Sequence, residues 1–202
     1  MALEITLSAL IGYLLGCIQS AYLVGRLAGG IDIRQHGSGN AGASNITSTL
    51  GVKYGVIVGL VDILKGTLAV LLTRWIFPSS PELAYLAGLM AVVGHMFPFY
   101  LGFRGGKGVA ALVGMMFGVS WKLGALFVLL VAVPAFVTDY IVAGSFTTFL
   151  ALPAVTYWGG YSLALLALSL ALTGICFYLH RANISRILAG EELKIRAVLI
   201  KS

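Results

Sequence analysis

KYGVIVGLVDILKGTLAVLLTRWI, residues 53–76, decides the class of fold. The run is long and apolar enough to cross a hydrocarbon core of about 30 Å as a helix. Lipid offers no partner to an open backbone amide, so a spanning segment must close its hydrogen bonds internally. Two charges interrupt the run, Asp62 and Lys65, three positions apart on one helix face. Charge inside a span hints at function; a structural pair explains this spacing at least as well.

Similar runs fill the chain. Helices are expected near 4–28, 53–76, 82–102, 108–120, 122–138, 144–159 and 161–180. The fourth is short enough to be a partial or tilted span, which leaves five or six spans open. The chain is 59% hydrophobic and 10% charged, against about 25% charged in soluble proteins. It therefore lacks the polar residues to cover a soluble surface. Strand alternation is scarce, which argues against a barrel. The expected fold is an all-α integral membrane protein: one domain over residues 1–202, a polytopic bundle of about seven transmembrane helices.

The N-terminus lacks a basic leader and carries Glu4, so its pattern is not that of a cleavable signal peptide. Arg26, Arg34, Lys53, Arg104, Lys107, Arg181, Arg186, Lys194, Arg196 and Lys201 fall on one side of a seven-helix model, and Arg74 and Lys122 on the other. The positive-inside rule makes the first side cytoplasmic, with the N-terminus outside and the C-terminus inside. These positions explain the formal charge of +6 as topology and anion binding, without nucleic acid. Cys17 and Cys176 lie in apolar runs and read as packing residues. GYLLG (12–16), GVIVG (55–59) and GMMFG (114–118) read as close helix packing within the chain.

The remaining polar residues gather in three loops on the basic side. The first is IDIRQHGSGNAGASN, 31–45. Its GSGNAG matches a dinucleotide fingerprint, but that motif needs a strand before it and a βαβ unit around it. Here membrane helices flank it, and the acidic residue about 20 positions on would be Asp62, inside a span. The dinucleotide reading fails. Glycines still allow a backbone to wrap an anion with its N–H groups, and Ser38, Asn40, Ser44, Asn45 and Arg34 add donors. A capped helix–helix turn is about as good a reading of this loop alone.

The second loop is GHMFPFYLGFRGGKG, 94–108. It is not a P-loop, because Leu101 and Gly108 stand where that motif needs Gly and Ser or Thr. It leaves Arg104 and Lys107 on flexible backbone, either as an anion site or as positive-inside anchors. His95 reads as a packing residue. The third is HRANISRILAGEELK, 180–194, where His180 and Asn183 share a face if the helix continues. Glu191 and Glu192 are expected to pair with basic residues, and an interfacial tail is the plainer reading of the segment. Between helices, TDYIVAGS (138–145) places Ser145 at an expected helix start, as cap or anion donor. Three such loops on one membrane face suggest one phosphate-accepting pocket.

GSGNAGASN, GHMFPFYLGFRGGKGVA and HRANISRILAGEELK resemble, in order, the three signature segments of the bacterial acyl-phosphate:glycerol-3-phosphate acyltransferases, the PlsY family. Ser44 stands where Thr is common and Arg104 where Lys is common. Outside these segments the resemblance is mainly length and hydropathy. It implies transfer of a fatty acyl group from acyl phosphate to the 1-hydroxyl of sn-glycerol 3-phosphate in the bacterial inner membrane, with the active site facing the cytoplasm. It implies acyl phosphate, glycerol 3-phosphate and membrane lipids as partners, no cofactor or metal, and no obligate protein partner. His36, His95 and His180 have no Asp five positions later, so the H-x-x-x-x-D motif of other acyltransferases is absent.

On this resemblance the candidate catalytic residues are Ser38, Lys107, His180 and Asn183. Candidate substrate-binding residues are Arg34, Gly37, Gly39, Asn40, Gly42, Asn45, Arg104, Gly105, Gly106, Gly108, Ser145 and Arg181. The proton acceptor is either His180 or, by preference, an oxygen of the acyl phosphate. The main rival is a transporter of a phosphorylated solute, but the one-sided polar clusters lack the midplane site and repeated halves of that class. A scaffold binding anionic lipid through basic loops leaves the Ser, Asn and His content unexplained.

Overall fold

The structure, a computed structural model, describes residues 1–199. Every regular element among them is helical. The chain divides into two compact units, one from Met1 to Gly124 and one from Ala125 onward.

The first unit begins with α1 (Ala2–Gly16) and α2 (Ser20–Gly29), which together form one span-length segment with a break at 17–19. A break in lipid needs partners for the carbonyls it frees. The Cys17 carbonyl accepts from the Tyr100 hydroxyl at 2.7 Å, and the Ile18 carbonyl from Lys65 Nζ at 2.7 Å. The apolar run predicts one helix over 4–28; both partners are distant in the chain, so nothing local marks the break. After a single-turn helix at Ile33–Gln35 comes α3 (Ala43–Leu50), where the sequence predicts loop as far as residue 45. α4 (Val52–Ile76) and α5 (Pro81–Met96) follow, then a second single turn at Phe99–Leu101 and α6 (Val109–Val119).

Glycines set the packing of this unit. A Cβ at Gly12 or Gly16 of α1 would overlap the backbone of Ala87 or Ala91 in α5. One at Gly66 of α4 or Gly114 of α6 would overlap Ala111 or Ile63 of the facing helix. At Gly12, Gly16 and Gly114 these are the close approaches within one chain that GYLLG and GMMFG suggested, whereas Gly59 of GVIVG meets only the Ala43 Cβ, at 3.9 Å. Leu112, Met115 and Met116 of α6 are fully buried.

The second unit holds most of α7 (Trp121–Thr138), then α8 (Ile141–Trp158), α9 (Leu163–Leu179), α10 (Arg181–Leu188) and the short α11 (Ile195–Leu199). α8 packs on α9, and α9 meets α10 at a 47° bend centred on His180. Ser145 does not begin α8. Tyr140 is the N-cap, and Ser145 lies inside the helix and is buried. Asp139, at φ +65°, completes the turn that lets the helix start earlier.

Five described segments are long and apolar enough to cross a membrane, or six if the bent α9–α10 pair counts as one. A count of seven would need α6, whose 11 residues reach only roughly 16 Å at 1.5 Å per residue.

Candidate active site

In the first unit the two glycine loops are built onto each other. Asp32 caps the Ile33–Gln35 turn by accepting from the Arg34 N–H at 3.1 Å. The same carboxylate takes the Arg34 guanidinium in a fork, Nε to Oδ1 at 3.0 Å and Nη2 to Oδ2 at 2.7 Å. Arg26 adds a second cation 3.6 Å away. These Arg34 hydrogen bonds, outweighing the cost of burial, lower the Asp32 pKa from 3.8 to about 2. The carboxylate in turn raises the Arg34 pKa. The Tyr22 ring carries both guanidinium groups, each 5.3 Å from its centroid.

Arg34 then reaches the other loop, donating through Nη1 to the Leu101 carbonyl at 2.9 Å. Asp32, Arg34, Gly39, Leu101, Gly102 and Arg104 line an open depression of about 480 Å³. Arg34 and Arg104, with loop backbone, border it beside the Asp32 carboxylate that Arg34 already holds, and the two arginines are the groups suited to phosphate.

Asn45 is the hub of the first loop. It is buried, and its Nδ2 donates to the carbonyls of Ile33, His36 and Asn40 at 2.9–3.0 Å. Its Oδ1 accepts from the Ser38 N–H at 2.9 Å. That side chain is therefore committed to folding the loop, and so is the Ser38 amide. Gly37, at φ +57°, lies against it so closely that a Cβ would overlap Oδ1. Gly39 also has positive φ, and its N–H donates to His36. Gly42 caps α3, with Asn40 against it. The Ser38 residue itself is exposed.

The second loop folds back on the end of α5. Gly105 N–H donates to the Met96 carbonyl at 3.1 Å, and Gly106 N–H to the His95 carbonyl at 3.0 Å. A Cβ on Gly106 would overlap His95 Nε2 and come within 2.8 Å of the Ala41 carbonyl. Gly108, at φ +85°, caps α6. Partly buried Lys107 thus stands between two fixed glycines, while Arg104 is exposed. The Asp62–Lys65 pair is present at 2.7 Å.

In the second unit, His180 is buried at the α9–α10 bend. Its Nδ1 lies 2.8 Å from the Cys176 carbonyl. A carbonyl only accepts, so Nδ1 carries a hydrogen. Phe146 meets the imidazole edge-on at 5.3 Å and stacks on Phe177. Asn183 is buried and donates to Glu192 Oε1 at 2.5 Å, while Arg186 Nε donates to Glu192 Oε2 at 2.6 Å. The tail therefore folds back as one polar cluster. Arg181 is exposed, donates to the Tyr178 carbonyl and lies 4.1 Å over the Tyr178 ring.

Asp32 and Tyr22 are absent from the residues that the sequence motifs point to. An Asp two positions before Arg34, just past a helix, was a readable cap signal. Tyr22, in the apolar run, gave none. The basic residue Lys201 lies outside the described residues.

A helical membrane protein with two glycine loops clamped together beside an arginine-lined depression fits a class of membrane enzymes and transporters that handle phosphorylated molecules. Comparison narrows it. The glycerol-3-phosphate acyltransferase family model matches residues 6–190, and the chain belongs to that family. A glycerol-3-phosphate acyltransferase of Thermoanaerobacter sp. (strain X514) is 41% identical over 192 residues, covering 94% of each chain. One from Bradyrhizobium diazoefficiens is 41% identical over 197 residues, covering 96% of this chain and 98% of its own. The fold also matches the crystal structure of PlsY (YgiH), an integral membrane glycerol 3-phosphate acyltransferase, in its glycerol 3-phosphate form. There the TM-score is 0.83 at 34% identity, over 95% of both chains. The lysophosphatidic acid form of the same enzyme matches with a TM-score of 0.79 at 33% identity.

Proposed function

We propose that the chain transfers a fatty acyl group from an acyl phosphate to the 1-hydroxyl of sn-glycerol 3-phosphate, giving lysophosphatidic acid and inorganic phosphate. It does so in the bacterial inner membrane, with the glycine loops facing the cytoplasm. Family membership supports the acceptor. The carrying observation for phosphate chemistry is the Arg34 clamp, which brings two glycine loops and a second arginine, Arg104, to one depression.

The 1-hydroxyl oxygen attacks the acyl carbonyl carbon. The bond from that carbon to the phosphate oxygen breaks, and phosphate leaves. Phosphate is a good leaving group, so the transfer proceeds directly, without a covalent enzyme intermediate. Holding the hydroxyl beside the acyl carbon contributes roughly 7–11 kcal/mol in favourable cases. Arg34, Arg104 and Lys107 bind phosphate and stabilise charge on the departing group. Ser38 contributes its hydroxyl. Gly37, Gly39, Asn40, Gly42 and Asn45 shape the first loop, and Gly105, Gly106 and Gly108 shape the second. His180 and Asn183 orient glycerol 3-phosphate, with Ser145 and Arg181 assisting. The hydroxyl proton passes to a phosphate oxygen of the donor.

A second reading of the proton step has its own support. His180 Nδ1 donates to the Cys176 carbonyl, a backbone contact that orients the ring as a general base must be oriented. If His180→Gln stops turnover while both substrates still bind, His180 takes the proton. If turnover survives, the phosphate does.

The deciding experiment incubates purified protein with palmitoyl phosphate and labelled glycerol 3-phosphate, without CoA or metal. Lysophosphatidic acid forms, and Lys107→Ala and Ser38→Ala each lose most of the rate. A transporter gives no product, and a lipid-binding scaffold tolerates both substitutions. Labelling of a cysteine at position 38 from the cytoplasmic side only checks the orientation.

A further inference from the structure

Beneath the second glycine loop lies a charged cluster that the transfer itself does not use. Asp62, Lys65 and His95 are 1%, 3% and 3% exposed, and they come from α4 and α5. Lys65 Nζ contacts Asp62 Oδ1 at 2.7 Å, the Ile18 carbonyl at 2.7 Å and His95 Nδ1 at 2.8 Å. An ammonium group has three hydrogens, and each has an acceptor here. With Lys65 charged, His95 accepts at Nδ1, and Asp62 Oδ1 lies 3.5 Å from the same nitrogen. The Ser20 hydroxyl completes the Asp62 shell at 2.8 Å.

Capping one carbonyl at a helix break does not require a charge. Buried ions in a span are costly, and a neutral hydroxyl or amide suffices for a cap. What the cluster also does is hold the imidazole. The Nε2 edge of that ring is the surface on which Gly106 lies. The His95 carbonyl is fixed as well, accepting from Gln19 Nε2 at 3.0 Å and from the Gly106 N–H at 3.0 Å. The residue after Gly106 is Lys107. A turn of the His95 ring would push directly on the backbone that carries this lysine.

We infer that Asp62, Lys65 and His95 are positioning residues, a buried ionic bracket that sets the place of Lys107 from below. This rests on the assignment of Lys107 to phosphate binding. The bracket never touches substrate, so its loss weakens capture of glycerol 3-phosphate more than it slows the transfer.

The test removes both charges together, as Asp62→Leu/Lys65→Met, because losing one leaves the other buried and unpaired. A second pair, Asp62→Asn/Lys65→Gln, keeps polar side chains of similar shape and serves if the apolar pair does not fold. Two measurements follow on protein in detergent. Amide hydrogen exchange across 104–108 rises about tenfold, the size of one coupled contact, while exchange within α4 and α5 stays near wild type. The KM for glycerol 3-phosphate rises by about the same factor, with a smaller change in kcat. In a Lys107→Ala background the same pair adds little further loss, since a bracket has nothing left to place. Unchanged exchange at 104–108 in both pairs, or losses that simply multiply with Lys107→Ala, would overturn the inference. If wild-type protein fails to use acyl phosphate, the proposed donor falls, and the exchange measurement still decides the bracket.

Discussion

The two units hold their candidate residues by opposite means. Arg34, held locally by Asp32, is tied to a carbonyl 67 positions away, and the floor under Gly106 to a lysine 30 positions from its histidine. His180 is fixed by the carbonyl four residues before it, and Asn183 by a glutamate nine residues on. The first arrangement exists only when α1, α2, α4 and α5 have packed. The second needs one helix bend and a tail that folds back. Damage to packing should therefore reach the first unit's loops from far away, while the third cluster responds to its immediate neighbours.

The sharpest way to break this contrast is to remove one ion from each unit. Lys65→Met leaves a buried carboxylate and an open Ile18 carbonyl, and should cost about 3–5 kcal/mol of stability. Arg186→Gln removes the part-exposed cation of a pair whose buried carboxylate keeps its bond from Asn183, and should cost less, about 1–2 kcal/mol. Reversible unfolding in mixed micelles reads both. Equal losses would erase the distinction.

Glycines offer the next comparison. In Gly106→Ala the new methyl meets the His95 ring and the Ala41 carbonyl, neither of which can yield cheaply. The expected cost is about 1–3 kcal/mol, with a loss of acyl transfer. In the second unit Gly174 lies inside α9 with nothing near its missing Cβ. Gly174→Ala should be neutral or stabilise by roughly 0.5–1 kcal/mol, and activity should hold. A Gly106→Ala protein with full activity would show that the loop tolerates displacement.

Asn45→Ala should act at a smaller scale, within one loop. It removes the donor shared by three carbonyls and the acceptor of the Ser38 amide. Such orphaned groups cost about 1–3 kcal/mol when they stay buried, less here because much of the loop is exposed. Proteolysis or hydrogen exchange over 33–40 should detect the loosened turn while the spans remain unchanged.

What the sequence disclosed follows the same divide. Long apolar runs marked α4, α5, α7, α8 and α9, because bilayer thickness acts on hydropathy alone. The Asp62–Lys65 pair was legible from its spacing, and so was the pairing of the tail glutamates, which Glu192 makes with Arg186. For His95 the sequence supports only a packing role, because its partner Lys65 stands on another helix. The break at 17–19 and the real work of Gly105 and Gly106, close approach to α5, stayed hidden for the same reason. Ser145 was misplaced because Asp139 turns the chain with a left-handed backbone that a composition of ordinary residues does not announce. α3 was missed because eight residues after a glycine-rich turn carry too little periodicity to stand out.

The smallest expected effect concerns pH, and it separates a clamp from a mere surface charge. Asp32 has its pKa lowered to about 2 by Arg34. A depressed carboxylate stabilises the fold above its unfolded value near 3.8, and the contribution disappears as pH falls through the folded value. The Arg34 clamp should therefore be unaffected from neutral pH down to about 4, then loosen toward 2. Exchange of the 33–39 amides, followed across that range in detergent, should show one transition in that window. Asp32→Asn should abolish the transition and raise the KM for glycerol 3-phosphate even at neutral pH, since Arg34 then loses its charged anchor. Loosening centred above pH 4 would mean that Asp32 is not held by Arg34, and the link between the two glycine loops would need another cause.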